Sequence, residues 1–125
     1  MQYNFDNNVP LYIQIIDIIK TKIISGHYEP GQQLEPVRTL AAEFEINPNT
    51  IQRALGELEN QGLLHSQRTK GRFVTEDVTL IKKLRNKMVI EELEKTIKTL
   101  EKMGFKKMEI KEIFIELIDG GISND

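Results

Sequence analysis

Five residues in the middle of the chain restrict its folding more than any others. Phe44 closes one run of helically spaced apolar residues, and only Glu45-Ile46-Asn47 separates it from Pro48, where a second run begins. Asn47 suits a cap because its side-chain oxygen accepts from the orphan amides of a first turn. Pro48 suits the first helical position because no hydrogen bond is lost there. The earlier run starts with Pro36 as its first helical residue and carries Val37, Leu40, Ala41 and Phe44 at spacings that bury one side. The later run reaches about Gln61 and stops at Gly62. Two helices joined by so short a connection form a helix-turn-helix candidate.

The flanking segments extend that unit. Pro10 opens the apolar stretch Leu11 to Ile24, closed by Gly26, and its length exceeds that of an ordinary strand. Ile15, Ile18, Ile19 and Ile23 share one face of this first helix, while Tyr12, Ile13 and Ile16 widen the stripe, so part of it is expected to face the second half of the chain or a partner subunit. His27 to Gln33, centred on Pro30-Gly31, reads as a turn. After Gly62, two strand-like runs, Leu63 to Gln67 and Arg72 to Thr75, flank Arg68-Thr69-Lys70-Gly71, a hairpin-sized connection with glycine for a left-handed position. Such a hairpin forms a wing.

From Val78 the apolar spacing becomes that of a long helix through Leu80, Leu84, Ile90, Leu93, Ile97 and Leu100, broken by Gly104. A shorter helix from about Lys107 to Ile118 carries Ile110, Ile113, Phe114 and Leu117. A two-helix hairpin cannot bury two apolar stripes alone, and the same hairpin of a second chain is the simplest cover. The expected fold is mostly α with a small β-hairpin: a winged helix-turn-helix domain over residues 1–77, then a two-helix dimerisation region over 78–125. Leu84, Ile90, Leu93, Ile97, Leu100, Ile110, Ile113, Phe114 and Leu117 are the expected dimer contacts.

Size and composition narrow the function. A chain of 125 residues holds one compact core, or a small core with an appendage, and excludes a large multidomain enzyme. Its 39% apolar and 29% charged residues are those of a soluble globular protein. There is no cysteine, which excludes disulfides, thiolate metal sites and a cysteine nucleophile, and fits a reducing compartment. No apolar run reaches the ~18 residues that span a bilayer, and the polar start Met1 to Asn8 lacks a signal-peptide pattern. The expected location is the cytoplasm, with no membrane partner.

Charge alone argues against nucleic acid as the partner, because residues 1–79 hold seven Lys and Arg against ten Asp and Glu. Local clustering reverses that reading: Arg68, Lys70 and Arg72 lie together, and Lys82, Lys83, Arg85 and Lys87 follow. At about 100° per residue from Asn49, the third helix separates into two faces. Ile51, Ala54, Leu55 and Leu58 form the apolar one, and Asn49, Gln52, Arg53 and Gly56 lie opposite. Amides and a guanidinium make paired hydrogen bonds with adenine and guanine edges, and Gly56 permits close approach. Thr50, on one shoulder, suits a phosphate or a thymine methyl. Polar residues also suit helix starts, so this face alone leaves base recognition and simple solvation about equally favoured.

These residues resemble a known family. Leu34-Glu35-Pro36-Val37-Arg38-Thr39-Leu40-Ala41, Ile46 to Leu55, Leu58-Glu59, Gly62-Leu63 and Gly71-Arg72-Phe73-Val74 together resemble the winged helix-turn-helix domain of GntR-type bacterial transcription regulators, over about residues 9–76. The Asn-Pro-Asn-Thr entry and short helical tail resemble the YtrA subfamily. The resemblance implies a homodimeric repressor binding double-stranded DNA at an inverted repeat near its own operon, with an operon for membrane transport as the candidate. It further implies that Arg38 clamps a phosphate or reaches a base, that Asn49, Thr50, Gln52 and Arg53 face the major groove, and that Lys70 and Gly71 form the wing tip. Arg68 and Arg72 add charge to the wing. This chain departs from the family's usual Pro-Ser at Glu35-Pro36, and from its Gly-x-Gly-Thr wing at Thr69 and Arg72.

Catalysis and metal binding have little support. His27 and His65 are isolated, no glycine-rich phosphate loop follows a strand, and the carboxylates are scattered, so no enzyme activity, cofactor or metal is expected. No effector pocket is legible. A winged-helix module that binds protein rather than DNA is the competing reading, favoured slightly by the acidity of the first part.

Overall fold

The computed structural model describes residues 3–121 and contains five helices and one hairpin. The first helix, α1 (Leu11–Ile24), buries Ile15, Ile16, Ile19 and Ile23. Ile18 and Tyr12 are partly buried against the same core, whereas Leu11 and Ile13 stay exposed. Helices α2 (Val37–Phe44) and α3 (Pro48–Asn60) follow, joined by the short turn expected. Glu45 makes that turn in the left-handed region, at φ 57°, and Asn47 caps α3 by accepting from the Asn49 amide at 2.8 Å.

Two of the three expected first-turn prolines sit one position earlier. Pro10 and Pro36 are the caps of α1 and α2, with ψ of 137° and 152°, and only Pro48 is the first residue of its helix. A proline ring holds φ near −65°, which suits both positions; ψ decides between them, and the residue type does not. At the entry to α1 the Gln14 side chain serves as clip, donating to the carbonyls of Asp6 and Val9 and accepting from the Asp6 amide.

Strands β1 (Leu64–Gln67) and β2 (Gly71–Val74) pair antiparallel, with Leu64 opposite Val74 and Gln67 opposite Gly71. The connection is therefore Arg68-Thr69-Lys70, shorter than expected, and Gly71 belongs to the ladder. Thr69 takes a left-handed conformation within the loop, at φ 67°. Thr69 stands where the family's wing has its first glycine, and a β-branched residue pays for that conformation in steric strain. The chain before α2 lies along β2, through Leu34 N to Arg72 O at 2.9 Å and Val74 N to Gln32 O at 2.8 Å.

Phe44, Leu40, Ile51, Leu55, Leu58, Leu63 and Val74 fill the core with the buried isoleucines of α1. The next helix, α4 (Val78–Lys102), begins on this core, where Leu80, Ile81 and Leu84 pack. The chain divides into two compact units, one ending at Arg85 and one beginning at Asn86. The first unit thus runs past the boundary expected at residue 77, because the opening turns of α4 add three apolar side chains to it. Leu84, expected among the dimer contacts, is partly buried against this core. In the second unit, the rest of α4 and α5 (Lys107–Ile118) form the helical hairpin, turned at Gly104 with φ 96°.

Candidate nucleic-acid interface

Helix α3 separates its faces as the spacing requires. Ile51, Ala54, Leu55 and Leu58 are buried, and Asn49, Gln52 and Arg53 are exposed opposite them. Thr50 is half-buried on the shoulder, and a Cβ added at Gly56 would meet nothing within 4 Å, so approach there is open.

Two flanking elements hold this face. On one flank the Arg53 guanidinium lies 3.6 Å from the centre of the Tyr12 ring of α1. Stacking satisfies the flat face of a guanidinium and leaves its in-plane N–H donors for other acceptors. On the other flank Arg72 turns back from β2 onto α3. Its Nε donates to Glu59 Oε1 at 2.6 Å, and its Nη1 donates to Gln52 Oε1 at 2.6 Å. Ser66 also donates to Glu59. The Ser66 hydroxyl and, after it, Arg72 hold the Glu59 carboxyl below its ordinary value.

The wing therefore differs from a set of three projecting cations. Arg68 and Lys70 are exposed, as is Gly71, and Gln33 donates from its side chain to the Lys70 carbonyl. Arg72 is half-buried and matched by a carboxylate. Arg38 is exposed on the first turn of α2. The nearby Glu35, the departure from the family pattern, accepts from the Tyr28 hydroxyl at 2.8 Å. Burial, reinforced by Glu35, pushes that hydroxyl far above its ordinary titration range.

Tyr12 and Ser66 are the members of this surface that the sequence does not single out, and Glu59, on the flank of the α3 face, is tied to the wing. The one local signal was an aromatic ring, Tyr12, in an otherwise aliphatic stripe; the other two contacts depend on hairpin register. The histidines take part in ring contacts, His65 with Phe73 and His27 with Tyr28. Among the described residues there is no cluster of three or more His, Cys, Asp or Glu able to hold a metal ion. No described helix is long and apolar enough to cross a membrane.

The α4–α5 hairpin leaves its apolar side chains uncovered. Leu93, Ile113, Phe114 and Leu117 are 41–53% exposed, and Ile90 is 56% exposed. A groove of about 720 Å³ within the hairpin is lined by Ile97, Leu100, Ile110 and Phe114 among others.

A capped helix with an amide and guanidinium face, following a tight turn and preceding a hairpin with cationic tip, defines a winged-helix DNA-binding protein. Residues 11–74 match the bacterial regulatory proteins of the gntR family. Over 95% of both chains, the sequence is 31% identical to the HTH-type transcriptional repressor YtrA of Bacillus subtilis. A GntR family transcriptional regulator from Listeria monocytogenes superposes with a TM-score of 0.83 at 38% identity, covering 90% of this chain and 98% of that one. The DNA-binding domain of AraR, solved in complex with operator ORR3, superposes with a TM-score of 0.53 at 32% identity, covering 60% of this chain and 88% of that one. The chain belongs to the GntR family and is a transcriptional regulator.

Proposed function

We propose that the protein is a homodimeric transcriptional repressor that acts in the cytoplasm, each copy laying α3 in the major groove of one half of an inverted repeat. The observation that carries this reading is the outward face of α3, where Asn49, Gln52 and Arg53 stand exposed beside the exposed wing cations Arg68 and Lys70. In this reading Asn49, Gln52 and Arg53 meet base edges, Thr50 meets the backbone or a thymine methyl, and Arg38, Arg68, Lys70 and Gly71 meet phosphates. Arg72 acts through Gln52. The protein works without a catalytic step, cofactor or metal. The likeness to YtrA, a named repressor, and to AraR, solved on its operator, supports DNA as partner and repression as outcome. The regulated operon is the protein's own, with a transport operon the candidate.

The exposed stripe of Ile90, Leu93, Ile113, Phe114 and Leu117 supports dimerisation through the tail, together with Ile97, Leu100 and Ile110 in the groove. Apolar area on this scale is stabilised by burial against a second copy.

Nuclease protection of the DNA upstream of its own operon tests the reading. The expected result is a protected inverted repeat with half-sites about one helical turn apart, lost steeply as salt rises. Binding that ignores salt, or protein capture without duplex affinity, refutes it in favour of a protein-binding module.

A further inference from the structure

The hydrogen bonds between wing and α3 bear on which base α3 selects. We propose that the Glu59–Arg72 pair makes Gln52 a donor-only reader, so that the operator carries guanine at the position facing Gln52. The inference rests on the reading that α3 enters the major groove.

A guanidinium carries N–H donors and no acceptor, so the Gln52 atom 2.6 Å from Arg72 Nη1 is the carbonyl oxygen. The amide is planar, and turning its oxygen back toward the wing turns its NH2 group away from the wing. Arg72 does not swing freely, because its Nε is held by Glu59 at 2.6 Å and Glu59 is held in turn by Ser66.

An unconstrained glutamine selects adenine by facing both amide ends to one base edge, with the oxygen accepting from N6 and the NH2 donating to N7. Gln52 meets that edge with its NH2 alone, and the adenine N6 hydrogens then oppose hydrogens. Guanine presents two adjacent acceptors, O6 and N7, to the same NH2. The family's wing threonine, at the position of Arg72, lacks the reach and charge to hold the amide in this way, so the base preference belongs to this chain's own wing.

The test is selection from a randomised duplex library by the full-length chain and its variants. The position facing Gln52 is the one whose preference disappears in Gln52→Ala. The wild type is expected to favour guanine there over adenine by at least about fivefold, the lower end of what one mismatched pair costs. Arg72→Ala frees the oxygen and moves the preference at that position to adenine. Gln52→Lys offers donors only, whatever its orientation, and keeps guanine. Any base other than guanine in the wild type, an unchanged guanine in a folded Arg72→Ala, or no position responding to Gln52→Ala overturns the inference. Enrichment of no duplex at all refutes the DNA reading and this inference together, whereas an enriched repeat with adenine facing Gln52 refutes the inference alone.

Discussion

Replacing Lys70 and, separately, the Arg72–Glu59 pair distinguishes cations that reach phosphate from a cation spent inside the protein. Lys70 is exposed at the wing tip, while Arg72 is half-buried, with its Nε 2.6 Å from Glu59 Oε1. Each phosphate contact contributes about 0.9 to the slope of log affinity against log salt, so Lys70→Ala, lost from both copies of a dimer, lowers the slope by about 1.8. Between about 50 and about 200 mM salt that difference amounts to roughly a twelvefold change in relative affinity. The double variant Arg72→Met with Glu59→Gln removes one charge of each sign and leaves the slope unchanged, even where affinity falls. Fluorescence anisotropy with a selected operator duplex, titrated at several salt concentrations, measures both slopes. A double variant whose slope falls as far as that of Lys70→Ala refutes the reasoning, because Arg72 would then contact phosphate in the complex.

Three further outcomes follow from the same contacts. Asn47→Ala loses the cap of α3, and urea unfolding should show a loss of about 1 kcal/mol, with glycine at the same position costing only a few tenths. A double-mutant cycle of Tyr12→Ala with Arg53→Ala should give a coupling of about 0.5–1 kcal/mol in unfolding, the range of a solvent-accessible cation–π stack; additivity of the two changes contradicts the stack. Glu59, whose carboxyl is held below its ordinary value by Ser66 and Arg72, contributes stability that is fully present above the normal glutamate value and disappears as pH falls through the lowered folded value. The stability gap between wild type and Glu59→Gln should therefore shrink as pH is lowered from about 7 to about 3, and a constant gap contradicts the assignment.

The order of helices and hairpin was legible because its punctuation is local. Asn47 and Pro48 act on the turn they occupy, and the apolar spacing of α3 determines which of its residues face inward. The boundaries were less legible where one residue type suits two positions, as Pro36 suits both cap and first turn. Leu84 shows another limit: helical spacing runs on through α4 without marking where the helix leaves the core. The site was legible as a list of residue types and not as a hydrogen-bond pattern. Arg72 reads as a wing cation until the pairing of Gln67 with Gly71 brings it across from Glu59 and Gln52.

That pairing changes the chemistry of the recognition face as a whole. Arg53 is a donor whatever its partner, and stacking on Tyr12 leaves its in-plane N–H groups available. On the proposed reading Gln52, whose oxygen accepts from Arg72, turns its NH2 to the base edge. Asn49 is then the side chain of this trio that keeps both a donor and an acceptor for a base edge. In the proposed complex, acceptor-rich guanine edges match Gln52 and Arg53, and a two-way contact with adenine falls to Asn49. On this proposal the departure from the family's wing at Arg72 acts less by adding charge toward DNA than by turning the Gln52 acceptor away from the base.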